Sequence, residues 1–203
     1  MTRRRGVASV PRVSPEPLII SDLACRRGDR LLFEAVSARV EPGGALHLVG
    51  PNGSGKSSLL RILAGLLAPA GGTITGGGAR GFLGHDVALK PRQRLGAELA
   101  HWARLDSGLA RLPAAMAAMN VAALADVPCR HLSSGQRRRA GLARVLASGA
   151  ELWLLDEPTA GLDTASAALL AAAMAAHRAT GGMVVAAVHG DIGLADPERL
   201  ALG

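Results

Sequence analysis

The stretch Gly50-Pro51-Asn52-Gly53-Ser54-Gly55-Lys56-Ser57-Ser58 limits the possible folds of this chain more than any other. It fits G-x-x-x-x-G-K-[ST], the spacing of a loop that cradles phosphates in nucleotide hydrolases. An apolar run, Ala45-Leu46-His47-Leu48-Val49, leads into it and reads as a strand, and Ser57 to Leu67 follows and reads as a helix. The glycines let the backbone curl so that several N–H groups face one anion. The helix behind adds its positive end. Lys56 is expected to reach the β- and γ-phosphates, and the Ser57 hydroxyl to ligate Mg²⁺. A chance glycine-rich turn before Lys-Ser would need neither flanking element.

Composition narrows the partners. The 203 residues suit one domain with a proper core. Aromatics are only 2% with no tyrosine, so the core is aliphatic and base stacking is not the expected mode of contact with nucleic acid. A formal charge of +7 suits phosphate handling, a place near anionic head groups, or RNA or DNA, and also an ordinary solvated surface. Cys25 and Cys129 have no C-x-x-C spacing and read as a reduced, cytosolic pair of small apolar residues. The basic start Met1 to Arg5 is followed by prolines instead of an apolar run, which is not a secretion signal. No segment approaches the ~20 apolar residues that span a bilayer, so work at a membrane would go through a partner.

Along the chain, residues 1–17 read as a disordered tail and 18–203 as a single α/β domain. Leu18–Ile20, Arg30–Phe33 and Val36–Val40 read as short strands of an edge sheet, and Thr73–Thr75 and Gly81–Phe82–Leu83 as two more. From about Arg92 to Leu124 the pattern is helical, with Leu95, Leu99 and Trp102 on one face and Met116 and Met119 on another, giving a helical insert at about 84–148. Pro113 is placed to start its second helix. A helix runs from His131 to about Ser148, a buried strand over Glu151–Glu157, a helix from about Thr164 to Ala179, and a strand over Met183–Val188. Strands apolar on both faces and alternating with helices imply a parallel sheet. Its ligands sit outside the carboxyl ends of the strands. Gly50, Asp156 and His189 all lie just past strand ends, so one site is expected to gather them.

Asp156, last out of its strand, is expected to hold Mg²⁺ directly or through water, and Glu157 to take a proton from, or polarise, the water attacking the γ-phosphate. Leu132-Ser133-Ser134-Gly135-Gln136 makes a second anion-binding surface from hydroxyls, a glycine N–H and a helix tip. One nucleotide does not need two such surfaces from one chain. Two copies related by a two-fold axis would use both, each copy's Ser133, Gly135 and Gln136 closing on the other's nucleotide.

With these residues in view, the chain resembles the ATP-binding cassette (ABC) ATPases over its whole length after the tail. The match includes the phosphate loop at 50–58, the signature at 132–136, the acidic strand end at 152–157, the turn Ala160-Gly161-Leu162-Asp163 and His189. The resemblance implies a nucleotide-binding domain with a parallel core sheet, an antiparallel β edge and a helical subdomain. It further implies ATP and Mg²⁺ as ligands, contact of His189 with the γ-phosphate, and a role for Asp163 in coupling two sites of a homodimer. Two positions depart from the family pattern. Gly84-His85-Asp86 stands where a glutamine is usual, and no aromatic lies near Arg26-Arg27 to stack on adenine. A guanidinium of Arg26 or Arg27 could stack instead.

Phe82–Asp86, the run Asp126 to Arg139 and Gly181–Ala187 look like the branch of this family that serves cytochrome c maturation and haem export. That likeness implies peripheral attachment to the cytoplasmic face of a bacterial inner membrane, with membrane subunits of the maturation complex as partners and no nucleic acid. An ATPase subunit for another transported substrate would carry the same catalytic residues and differ only in the partner-facing segment 84–125. A soluble cassette protein acting on ribosomes or DNA fits less well: the chain has one signature, and Ser133 follows Ser57 by only 76 positions. A small-molecule kinase would need neither Leu132–Gln136 nor His189.

Overall fold

A computed structural model describes residues 16–188, 190 and 192–203. His189 and most of the expected tail therefore lie outside the described residues. Glu16 and Pro17 are described, and the Glu16 carbonyl accepts from the Gly77 N–H at 3.3 Å.

Two sheets carry the fold. The larger has five parallel strands: β3 (Ala45–Val49), β5 (Arg80–Leu83), β6 (Leu152–Asp156), β7 (Met183–Ala187) and β8 (Glu198–Ala201), in the order β5-β6-β7-β3-β8. The smaller is wholly antiparallel, with β1 (Leu18–Arg27) central between β2 (Arg30–Val40) and β4 (Gly71–Thr75). The unbroken apolar runs of β6 and β7 follow from burial on both faces. Leu152 and Leu154 join the core on one side, while Trp153 and Leu155 join the core on the other.

On the first side lie α1 (Lys56–Leu63) and the antiparallel sheet; on the second lie α2 (Leu95–Leu105), α3 (Leu112–Ala118), α4 (Ser134–Ser148) and α5 (Thr164–Ala179). α1 stops four residues short of its expected end. Gly65 turns left-handed at φ 72°, its N–H bonding Ile62 and the Leu66 N–H bonding Arg61, a Schellman closure. α3 begins at Leu112, with Pro113 one position in. Met116 and Met119 are core, and Leu95 and Leu99 are buried as their spacing predicts. Both cysteines are free and buried. β8 was not anticipated: only Leu200 is half-buried, and the strand exists through its ladder to β3.

Candidate functional site

The carboxyl ends of β3, β5 and β6 open on one edge of the sheet, as expected for ligand sites of this topology. The loop after β3 delivers the phosphate-binding stretch. Gly50, Gly53 and Gly55 take left-handed φ of 143°, 81° and 105°, which curls residues 50–55 ahead of α1. The Lys56 side chain is largely buried. Its ammonium donates to the Gly50 carbonyl at 2.7 Å and the Pro51 carbonyl at 2.8 Å, so the charge is held over the loop. The Ser54 hydroxyl is buried and has no hydrogen-bond partner among the described residues.

At the end of β6, Asp156 is 1% exposed. The Ser57 hydroxyl donates to its Oδ1 at 3.0 Å, and its Oδ2 is buried with no partner among the described residues. A hydroxyl beside a carboxylate with one oxygen unspent is a donor set that fits a hard divalent cation sharing phosphate oxygens. The fold thus brings together Ser57 and Asp156, each expected at the cation, from positions 99 residues apart. Glu157 follows with a left-handed φ of 49°, its N–H bonded to the Ala187 carbonyl at 2.8 Å.

Asn52, Gly53, Gly55, Lys56, Ser57, Ser58, Asp156 and Glu157 line an open cleft of about 720 Å³, with Gly50 and Ser54 outside its lining. Its far wall is Arg27, Arg30 and Leu32. Arg27 thus lies where a base contact was expected. Arg26 instead sends Nη1 to the Asp29 carbonyl, closing the β1–β2 turn. Arg30 was missed; the signal was available in the Gly28-Asp29 hairpin, which sets Arg30 opposite Arg27. His85 also lines the cleft. Outside this lining, buried His47 on β3 places Nε2 3.1 Å from the Val188 carbonyl, tying β3 to the residue that follows β7.

The second expected anion surface does not reach this cleft. Ser133 is exposed, and Ser133, Gly135 and Gln136 are not among the cleft's lining residues. They form a capping box on α4: the Gln136 N–H donates to the Ser133 hydroxyl at 3.2 Å, and the Ser133 N–H to Gln136 Oε1 at 2.9 Å. A Cβ on Gly135 would stand 2.8 Å from the Gly161 carbonyl, so the tip lies hard against the 160–163 turn. Asp163 caps α5, accepting from the Ser166 N–H at 2.7 Å. Hydrogen bonds from the Ser166 hydroxyl and then its N–H hold this carboxyl below the ordinary carboxylate range.

A family model described as ABC transporter matches residues 33–160. A cytochrome c biogenesis ATP-binding export protein (CcmA) of Rhodospirillum rubrum is 50% identical over 194 residues, spanning 89% of this chain and 83% of its own. A protein of the same name from Sphingopyxis alaskensis is 47% identical over 188 residues, covering 92% and 96% of the two chains. Another from Gluconobacter oxydans is 48% identical over 179 residues, covering 88% and 84%. Among solved structures, an ABC transporter ATP-binding protein from Pyrococcus furiosus superposes with a TM-score of 0.77 over 92% of this chain and 97% of its own, at 23% identity, which speaks to the fold.

Proposed function

The chain belongs to the ABC transporter family of ATP-hydrolysing subunits, and from that premise we propose that it drives a cytochrome c maturation complex, its hydrolysis coupled to haem export or to release of a haem-loaded carrier. The observation that carries this reading is the shared name of relatives 44–50% identical over about nine-tenths of the chain. It favours the maturation complex over a transporter for another substrate.

In this reading residues 50–58 wrap the triphosphate with backbone N–H groups, and Lys56 exchanges its loop carbonyls for phosphate oxygens. Ser57 and Asp156 hold Mg²⁺, which when bound neutralises charge on the β- and γ-phosphates. Glu157 accepts a proton from the attacking water, and His189 contacts the γ-phosphate. Two copies close head to tail, so that each Ser133–Gln136 tip meets its partner's nucleotide and Asp163 links the two sites. The exposure of that tip in the single chain supports the arrangement. No helix among the described residues is long and apolar enough to cross a membrane, and attachment to the cytoplasmic face of the inner membrane through membrane subunits follows in this reading.

The test uses a strain lacking the gene. Wild type restores covalent haem in periplasmic c-type cytochromes, whereas Glu157→Gln and Ser133→Arg do not. In vitro, Ser133→Arg binds ATP as wild type does and loses hydrolysis. Normal cytochromes in the deletion strain would refute the maturation role; hydrolysis surviving Ser133→Arg would refute the shared site.

A further inference from the structure

Arg138 sits one turn into α4 and is 3% exposed. Its guanidinium is spent on two loops that are far apart in the chain. Nη1 donates to the Gly84 carbonyl at 2.8 Å and the His85 carbonyl at 2.9 Å, at the end of β5. Nη2 donates to the carbonyls of Asp156 and Glu157, at the end of β6. Nε is buried without a partner among the described residues. Burial opposes the charge and lowers the group's pKa, while Asp156, Glu157 and Asp86 favour the charge. A planar fork with fixed donor directions suits four acceptors in two pairs; a single ammonium cannot span them.

The neighbourhood gives this clamp consequences. Glu157 holds a backbone conformation that a residue with a side chain seldom adopts unaided. Its N–H is fixed by Ala187 and its carbonyl by Arg138. The other pair of acceptors belongs to the loop whose His85 lines the nucleotide cleft. His85, Asp86 and Arg138 also line an adjoining pocket with Ser134 and Gly161. One rigid guanidinium thus joins the helix behind the signature, the 84–85 loop and the backbone of Glu157.

We propose that Arg138 is a positioning residue for hydrolysis, setting Glu157 through its backbone and tying that setting to the 84–85 loop. The inference rests on the reading of Glu157 as the base. It acts on the turnover step and leaves the phosphate-binding loop untouched. Small misplacements of a reacting group can lower turnover by up to ~10²-fold.

The experiment is a double-variant cycle on the full chain: Arg138→Lys, Glu157→Gln and the pair, with kcat and KM for ATP, affinity for a non-hydrolysable ATP analogue, and circular dichroism. Arg138→Lys lowers kcat by ~10-fold or more with analogue affinity within about twofold. In the Glu157→Gln background it changes residual hydrolysis by less than about twofold, because the group it positions is gone. A wild-type kcat in Arg138→Lys, or fully additive losses in the pair, overturns the proposal while leaving Glu157 as the base. Wild-type hydrolysis in Glu157→Gln brings down both. If Arg138→Lys lacks the wild-type spectrum, a crystal structure of Glu157→Gln with ATP decides. Retention of both carbonyl pairs by Arg138 supports the role; a guanidinium that has left either pair overturns it.

Discussion

Gly55 joins the nucleotide cleft to the core, and replacing it with alanine separates two physical effects. Gly55 caps α1 with φ 105° and ψ 4°. A Cβ there would stand 2.8 Å and 3.0 Å from Cδ1 and Cε1 of Phe33 and 3.3 Å from Cβ of Leu32. Phe33 is 7% exposed and belongs to the core beneath α1, so the ring cannot simply swing into solvent. The left-handed backbone costs alanine about 1–2 kcal/mol, and the overpacked ring adds about 1–3 kcal/mol. Gly53 supplies the control. Its φ is 81° and nothing lies within 4 Å of its Cβ position, so alanine there meets only the backbone term. At ~2–4 °C per kcal/mol for a chain of this size, Gly55→Ala lowers Tm by ~4–20 °C and Gly53→Ala by the smaller ~2–8 °C of the backbone term alone. Phe33→Leu in the Gly55→Ala background recovers ~1–2 kcal/mol of the loss, a coupling that appears only when the two residues touch. Scanning calorimetry and urea titration of the two glycine variants, Phe33→Leu and the double variant give all the terms. Equal losses at Gly53 and Gly55, or additivity between Gly55→Ala and Phe33→Leu, would show that the phosphate loop is not braced on the antiparallel sheet.

Two further outcomes test the rest of the site and the fold behind it. Asp156→Asn removes the carboxylate with the unspent buried oxygen. At ~100 times Kd, Mg-ATP stabilises wild type by ~2.7 kcal/mol, and the variant loses the part of this that EDTA removes from wild type; a thermal shift that still depends on Mg²⁺ would refute the assignment. His177 stacks on Trp153 with ring centroids 4.0 Å apart and Nε2 3.2 Å from the Glu151 carbonyl. Burial lowers its pKa, with bonds at the Met183 and Glu151 peptides pulling the other way. The unfolded chain therefore takes up this proton first, at about pH 6.5. The contribution is whole above that value, is lost as pH falls toward the lower folded value, and then levels off. Melting followed by tryptophan fluorescence from pH 8 to 5 shows this slope in wild type and less of it in His177→Phe; identical slopes would refute it.

The parts of the fold that were legible share one cause. β3, β6 and β7 are buried on both faces, so they read as continuous, mostly apolar runs, interrupted only by His47 in β3 and closed by Asp156 in β6. α5 was bounded correctly because Asp163 caps its first turn and Thr180-Gly181-Gly182 ends it. The edge sheet was harder. Three short strands were expected where β1 and β2 are each one long strand, because Asp22 and Ala35 turn left-handed within them and the β1–β2 register shifts. Such bulges break side-chain alternation while the ladder continues. β8 has almost no apolar signal, and only the neighbouring strand calls it into being. At the site, Ser57 and Asp156 could each be named as a Mg²⁺ ligand because each lies in a motif of fixed spacing, whereas the hydrogen bond between them is seen only in the structure. The wall formed by Arg27 and Arg30 was not legible, since it depends on which way a hairpin leans.

The run Arg137-Arg138-Arg139 carries the same lesson into function. By composition it is a basic stretch, of the kind that suggests an anionic partner. In the fold each guanidinium goes to backbone carbonyls of its own chain: Arg137 to Leu132, Arg138 to Gly84, His85, Asp156 and Glu157, and Arg139 to Met119 and Asn120. Three successive residues on a helix point about 100° apart, so the run reaches three different segments. It ties the 132–136 tip to the helical insert on one side and to the acidic strand end on another. The tip is therefore not an independent lip that can fold over a nucleotide bound in its own chain. It is held by its capping box, against Gly161 and by these arginines. This agrees with the proposed arrangement, in which the triphosphate at Ser133 is carried by another copy. Whatever displaces the 84–85 loop then acts on the tip and on Glu157 together.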